Sequence, residues 1–389
     1  MNAYKDALGI KDELLEHRRY LHQHPEIGMD LEETASYVES QLRVYGYHTK
    51  RYGKCGVSAI AGNKKGCILL RADMDALPMQ EQSGLSFSSL IQDRAHTCGH
   101  DLHTAMLLGA AKLLKQNEES LPCTVKLMFQ PAEETGEGAL AMLRDGLLQE
   151  PRVDCAFAMH VDSSTPCGIL ASGSGIGTSN SSVFNIHIEG NGCHGSTPYL
   201  GVDPMRIAIS IYQGIQTIIS QEIKPDDIAV ASIGSIQAGS TNNIIPHTAV
   251  MKGTIRTYDD TIDAYIRQRI MEISEATASA YHGKAHVEFP AFMPSVHNDL
   301  QLHQRFISAM RSILPAQQVI ETSNRTFGSE DFGFVTREVP SLMIILGARA
   351  NEPVYGQHHP CVVFNEDCLV LGCAAFVQCA MQLTCSIEA

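Results

Sequence analysis

Three short apolar runs constrain the fold of this chain most: CILLRADMD (67–75), TVKLMFQP (124–131) and CAFAMHV (155–161). Each reads as a buried strand, because runs this short and apolar bounded by turn residues suit a covered sheet. Helical text separates them. Apolar positions predict one helix from about Leu102 to Gln116 and another over 136–148. Upstream, the spacing of Leu8, Leu14, Leu15 and Leu21 predicts a helix from Tyr4 to His24, and a second runs from Leu31 to Tyr45. Strands alternating with helices give an α/β fold, a sheet with helices on its faces.

The pattern changes near Ser172. The stretch SGSGIGTSNSS lacks core periodicity and reads as a hinge. Beyond it come a strand, a long helix, two strands, a second long helix and a strand, ending near Pro294. That is the split βαβ order of a ferredoxin-like α+β sandwich. The expected organisation is a discontinuous first domain, 1–178 and 295–389, with 179–294 inserted into it.

Composition narrows the function. The 389 residues are 44% hydrophobic, enough for a sizeable core. A formal net charge of -14 argues against nucleic acid or an anionic membrane as partner, since both select a positive face. The 12 cysteines are scattered and no secretory leader precedes them, so free thiols in a cytoplasmic setting are expected. No apolar run reaches the roughly 18 residues of a membrane span, and CAAFVQCAMQL near the end reads as a buried helix.

Acids, a thiol and imidazoles gather at the predicted strand ends. Asp73 and Asp75 close the first strand, Cys98 and His100 precede a helix, Glu133 and Glu134 follow the second strand, and His160 lies near the end of the third. Ligands of open α/β sheets collect beyond the carboxyl ends of strands, so these groups can converge. A thiolate, imidazoles and a carboxylate suit zinc or another late divalent metal. Taken singly, each is more often a structural histidine or a solvated acid. Four such features in one domain are hard to explain that way.

The segments RRYLHQHPE, RADMDALPM, HTCGHDLHTAMLLGAA, FQPAEETGEGA, AMHV, HGSTPYLGVDP, NIIP, GTIRT, GSEDF and HHP followed by NED span nearly the whole chain. As a set they resemble the hippurate hydrolase, aminoacylase and auxin-conjugate hydrolase branch of the two-metal peptidase and amidohydrolase superfamily. The resemblance implies a zinc-peptidase-like catalytic domain carrying an inserted lid or dimerisation domain.

It also implies roles. Cys98, His100, Glu134, His160 and His358 become metal ligands, with Cys98 bridging two divalent ions and His359 the lesser alternative to His358. Glu133 becomes the general base that activates a water shared by the ions. Asp75 becomes a carboxylate that orients a ligand, with Asp73 a near alternative. His194 of HGSTP would steady the tetrahedral oxyanion, in its own subunit or from a partner. Asn243 and Arg256 would contact the substrate, and a guanidinium suits an amino-acid carboxylate. The thiolate favours zinc, with manganese, cobalt or nickel as alternatives. Cys193, His247 and Met159 depart from the commoner family text, which bears on the pocket rather than on the ligands.

The expected activity is hydrolysis of the amide bond of N-acyl amino acids, a small-molecule substrate class. The alternatives are a dipeptidase or carboxypeptidase on the same centre, and a catalytically inactive metal-dependent binding module. A homodimer is the expected assembly, with a homotetramer as the alternative.

Overall fold

The computed structural model describes residues 2–350 and 352–383. The chain divides into two compact units, Met1–Gly177 with Val296–Asn324 and Asp331–Ala389, and Thr178–Ser295 with Arg325–Glu330.

The first unit holds β1 (Thr49–Tyr52), β2 (Gly56–Ala61), β3 (Cys67–Asp73), β4 (Thr124–Gln130), β5 (Cys155–Pro166), β6 (Leu170–Ser172) and the later strands Val319–Glu321 and Ser341–Arg349. They form one mixed sheet in the order β1, β2, β4, β3, β5, Ser341–Arg349, β6, Val319–Glu321. The middle is parallel: β3 runs with β4 and with β5, and β5 with Ser341–Arg349. Parallel strands are covered on both faces, which is why β3 and β4 are buried along their whole length and read as unbroken apolar text.

The helices of this unit begin with α1 (Ala3–Leu8), α2 (Lys11–Gln23), α3 (Glu32–Val44), α4 (His100–Gln116) and α5 (Gly138–Arg144). The first two divide what the leucine spacing predicts as a single helix. Gly9 ends α1, its N–H bonding to the Lys5 carbonyl at 3.1 Å, and glycine is a poor interior helix residue. Helix α4 packs against α2 and the C-terminal helix Cys368–Gln382. Leu14, Leu102, Met106 and Phe376 are fully excluded from solvent there, each contributing about 1.5–3 kcal/mol by burial. The C-terminal helix is thus core, and none of the described helices is long and apolar enough to cross a membrane.

The second unit is a four-stranded antiparallel sheet in the order Ala229–Ala238, Thr248–Thr257, Asn180–Glu189, Lys284–Met293. With helices Pro204–Thr217 and Asp260–Ala280 between strands, the connectivity is ferredoxin-like. Both helices start on aspartate caps, Asp203 accepting from the Met205 N–H at 2.9 Å and Asp259 from the Thr261 N–H at 2.7 Å. Ile207, Ile211 and Ile215 recur at helical spacing and are buried with Phe184, Ile186, Met251 and Ile270 in a core of their own.

Candidate metal centre

The parallel strands β3 and β4 end in register, Asp73 opposite Gln130. Past them the chain turns into the segments that carry the acids. Strand β5 does not stop at Val161, as its apolar run suggested, but continues to Pro166 beside Ser341–Arg349. His160 still stands beyond β3, because pairing of β3 with β5 finishes at Arg71 and Ala158. Helix α4 begins at His100, earlier than the spacing alone indicated. Gly99 precedes it with φ 92°, and a β-carbon there would lie 2.4 Å from Val161 Cγ2. That glycine lets Cys98 and His100 turn to the same side of the sheet.

Among the described residues five groups of possible ligands result, and the two that contain Cys98 share its sulfur. Cys98, His100 and His160 place donor atoms within 4.8 Å of one another, and so do Cys98, Glu134 and His358. Cys98 Sγ lies 3.5 Å from His160 Nε2, and Glu134 Oε1 lies 3.2 Å from His358 Nε2 and 4.0 Å from His100 Nε2. His100 Nε2 is buried without a hydrogen bond, and the buried Glu134 Oε1 has only the His358 Nε2 ion-pair contact at 3.2 Å. Buried polar atoms are nearly always satisfied, so His100 Nε2 fits a bound cation. Soft sulfur, imidazole nitrogen and carboxylate oxygen are a donor set for zinc-like divalent ions.

The imidazoles are held from behind. His100 Nδ1–H donates to the Asp75 carbonyl at 2.8 Å, and His160 Nδ1–H to the Val161 carbonyl at 2.8 Å. Each ring therefore turns Nε2 toward the centre. Without cations the charges balance by protons. Burial opposes ionisation of Cys98, but His100 and His160 outweigh it and bring the thiol down to about 6. The Cys98 and Glu134 contacts push His358 up to about 10, and Cys98 raises His160 to about 9 against burial. Divalent ions would displace those protons.

Glu133 is buried, with Oε2 3.9 Å from His100 Nε2. Asp75 accepts the backbone N–H of Glu133 at 3.0 Å and of Glu134 at 3.1 Å. Asp73 is also buried, but it faces the framework: Arg71 Nη1 donates to it at 2.7 Å and His103 Nδ1–H at 2.5 Å. His103 Nε2 in turn accepts the Val161 N–H at 2.8 Å, and burial pushes the ring down to about 4, so it stays neutral. His96 is buried next to His22, the ring centroids 6.3 Å apart. His359 stacks on Tyr355, 4.4 Å between centroids, and accepts the Cys361 N–H at 3.1 Å.

His194, Asn243 and Arg256 belong to the second unit. A two-stranded ribbon joins the first two: His194 pairs with Ile244, and the Gly195 N–H bonds the Asn243 carbonyl at 2.8 Å. His194 Nδ1 accepts from the Ser196 N–H at 3.1 Å and lies 2.8 Å from its hydroxyl. Its Nε2–H is therefore free to donate. Arg256 is half-buried; its Nη1 is buried without a hydrogen bond, and burial alone lowers its pKa.

Other participants were not legible as such in the sequence. Gln357 Nε2 donates to the Val161 carbonyl at 3.1 Å and to the Cys98 carbonyl at 3.4 Å, tying the His358 segment to the centre. Under α4, Asp101 accepts from Arg18 Nε at 3.1 Å and lies 2.9 Å from His22 Nδ1. Arg71 carried the one available signal, a charge inside an otherwise apolar strand.

The description "Peptidase family M20/M25/M40" matches residues 69–382. The chain is 34% identical to the N-acetyl-L-cysteine deacetylase of Bacillus subtilis, over 97% of this chain and 90% of that one. It is 33% identical to thermostable carboxypeptidase 2 of Saccharolobus solfataricus, over 97% of each. It is 34% identical to the IAA-amino acid hydrolase ILR1-like 4 of Arabidopsis thaliana, over 96% of this chain and 86% of that one. Among solved structures, the Bacillus subtilis YXEP protein, described as a dinuclear metal binding peptidase of the M20 family, superposes with a TM-score of 0.82. That pair is 31% identical and covers 96% of this chain and 98% of the other.

Proposed function

The chain belongs to peptidase family M20/M25/M40 and is an enzyme acting on amide bonds, and from that premise we propose that it cleaves N-acyl amino acids to a carboxylic acid and a free amino acid. The observation that carries the reading is the pair of ligand groups meeting at Cys98 with Glu133 beside them. Cys98, His100, Glu134, His160 and His358 would hold two divalent ions, zinc best matching the thiolate. Bound there, the ions supply Lewis acidity toward water and the scissile carbonyl.

The remaining chemistry belongs to side chains. Glu133 takes a proton from the attacking water and returns it to the leaving amine nitrogen. Asp75 keeps Glu133 and Glu134 in place through their backbone. His194 offers Nε2–H to the developing oxyanion, with Asn243 next to it on the same ribbon. Arg256 has a buried nitrogen with no hydrogen bond, which favours a substrate that brings its own α-carboxylate.

A carboxypeptidase reading has support from the relative named as one. The two separate on a substrate panel. Metal-reconstituted enzyme is tested on N-acetyl and N-benzoyl amino acids, dipeptides, and acyl amides without an α-carboxylate. N-acyl amino acids should dominate, and loss of the carboxylate should cost about 100-fold or more in kcat/KM. Dominant dipeptide turnover would overturn the proposal.

Eleven cysteines of the described residues stand outside any disulfide, in keeping with a reducing cytoplasm. The edge strand Ala229–Ala238 exposes Val230 and Ile236, an edge open to pairing with a second copy in a homodimer. Sedimentation showing only monomer would count against that assembly.

A further inference from the structure

Asp331, in the segment GSEDF, lies 201 positions after Gln130 and is fully buried. Its Oδ1 accepts from Gln130 Nε2 at 2.6 Å and from Arg71 Nη2 at 3.2 Å, and its Oδ2 accepts the Ala139 N–H at 2.9 Å. Gln130 ends β4 and Ala139 lies in the first turn of α5. These two residues flank the segment 131–138, which carries Glu133 and Glu134.

That segment is tightly folded. Its two ends touch: a β-carbon on Gly138 would stand 1.6 Å from the Pro131 carbonyl oxygen. Ala132, just before Glu133, has φ 53°, a left-handed conformation that a residue with a β-carbon keeps only where its surroundings impose it. Asp75 fixes the middle through the Glu133 and Glu134 N–H groups. Asp331 fixes the neck, and Arg71 braces both Asp331 and Gln130, donating Nε to Gln130 Oε1 at 2.9 Å.

We propose that Asp331 is a positioning residue for Glu133, closing the neck of the 131–138 segment so that the Glu133 carboxylate is aimed at the metal centre. The inference rests on Glu133 being the general base. A carboxylate oxygen of Asp331 lies within 4.8 Å of one of Glu133, but its hydrogen bonds go to Gln130, Arg71 and the Ala139 N–H, and it acts through the neck that they clamp. Asparagine in its place offers one oxygen where two are used, so either the Gln130 and Arg71 side or the Ala139 side of the neck is released.

The test is a double-mutant cycle of Asp331→Asn and Glu133→Gln, with N-acetyl-L-methionine as probe and metal content read by elemental analysis. In the wild-type background Asp331→Asn should lower kcat about 10- to 100-fold, the effect expected of a base displaced by about an ångström, with KM changed less than about threefold. Two ions per chain should remain. In the Glu133→Gln background it should cost less than about threefold. Equal losses in both backgrounds, or loss of metal, would overturn the proposal. Full activity of Glu133→Gln would instead overturn the base assignment, whatever Asp331→Asn does. Gln130→Met removes one clamp at nearly constant volume and should show the same kcat-selective loss to a smaller degree; wild-type kcat in that variant also counts against the clamp.

Discussion

The carboxylate of Asp75 receives the backbone N–H of Glu133 at 3.0 Å, while the carbonyl of the same aspartate receives His100 Nδ1–H at 2.8 Å. One residue therefore sets the position of the proposed base and the ring orientation of a proposed ligand. Asp75→Asn keeps the shape but leaves only one side-chain oxygen for two N–H donors. The expected result is a fall in kcat of about 10- to 100-fold with weaker metal retention, read by steady-state kinetics and elemental analysis.

Glu133→Gln should lower kcat by about 100- to 10,000-fold, the range for a positioned proton carrier, while both ions stay bound. Substrate binding measured on this variant should be near that of the wild type. Full activity would remove Glu133 from the mechanism.

Cys98 is common to two of the ligand groups. Cys98→Ala leaves His100 with His160 and Glu134 with His358, each one donor short. Native mass spectrometry should show fewer than two ions per chain, with affinity lowered more than about 100-fold. Far-UV circular dichroism should not change, since the sheet and α4 rest on apolar packing. Chelation of the wild-type protein should likewise abolish activity before it unfolds the chain.

Stability should depend on pH through histidines away from the centre. Burial opposes protonation of His22, but Asp101 and Glu81 outweigh it and raise the ring to about 9. A raised pKa stabilises fully below about 6.5, and that stabilisation is lost as pH rises toward 9, at most about 3 kcal/mol. His17 is the opposite case. Burial between Tyr37 and Tyr45 pushes it down to about 4, so its contribution is present above about 6.5 and lost as pH falls toward 4. Thermal melts of His22→Gln should lose stability relative to wild type near neutrality, and the difference should shrink by pH 9. A constant difference would show that the ring is not charged.

Gly138→Ala should be severe. Its β-carbon would meet backbone rather than a movable side chain, so the neck of the 131–138 segment has to open. The expected cost is about 1–3 kcal/mol in a denaturant titration, with a large loss of kcat.

The sequence alone determined a good deal. Apolar runs too short for helices specified covered strands, and their regular alternation with helices specified the mixed sheet. The split βαβ order specified the four-stranded antiparallel sheet with its two helices. Residue types also carried chemistry: Cys98, His100, Glu133, Glu134 and His160 stand out together because four such features at strand ends in one domain are hard to explain structurally, while His358 came only from the family resemblance. Tertiary structure decided what spacing cannot express. It broke the first helix at Gly9, because the Ile10 N–H turns to the Ala7 carbonyl at 3.2 Å in a tighter bond and glycine is a poor interior helix residue. It carried β5 past His160, because a partner strand lay alongside to pair with it. It separated the duties of Asp73 and Asp75, and brought Asp331 to the neck of the Glu133 segment. Those outcomes depend on which distant groups meet when the sheet forms, and a one-dimensional pattern records the residues but not their meeting.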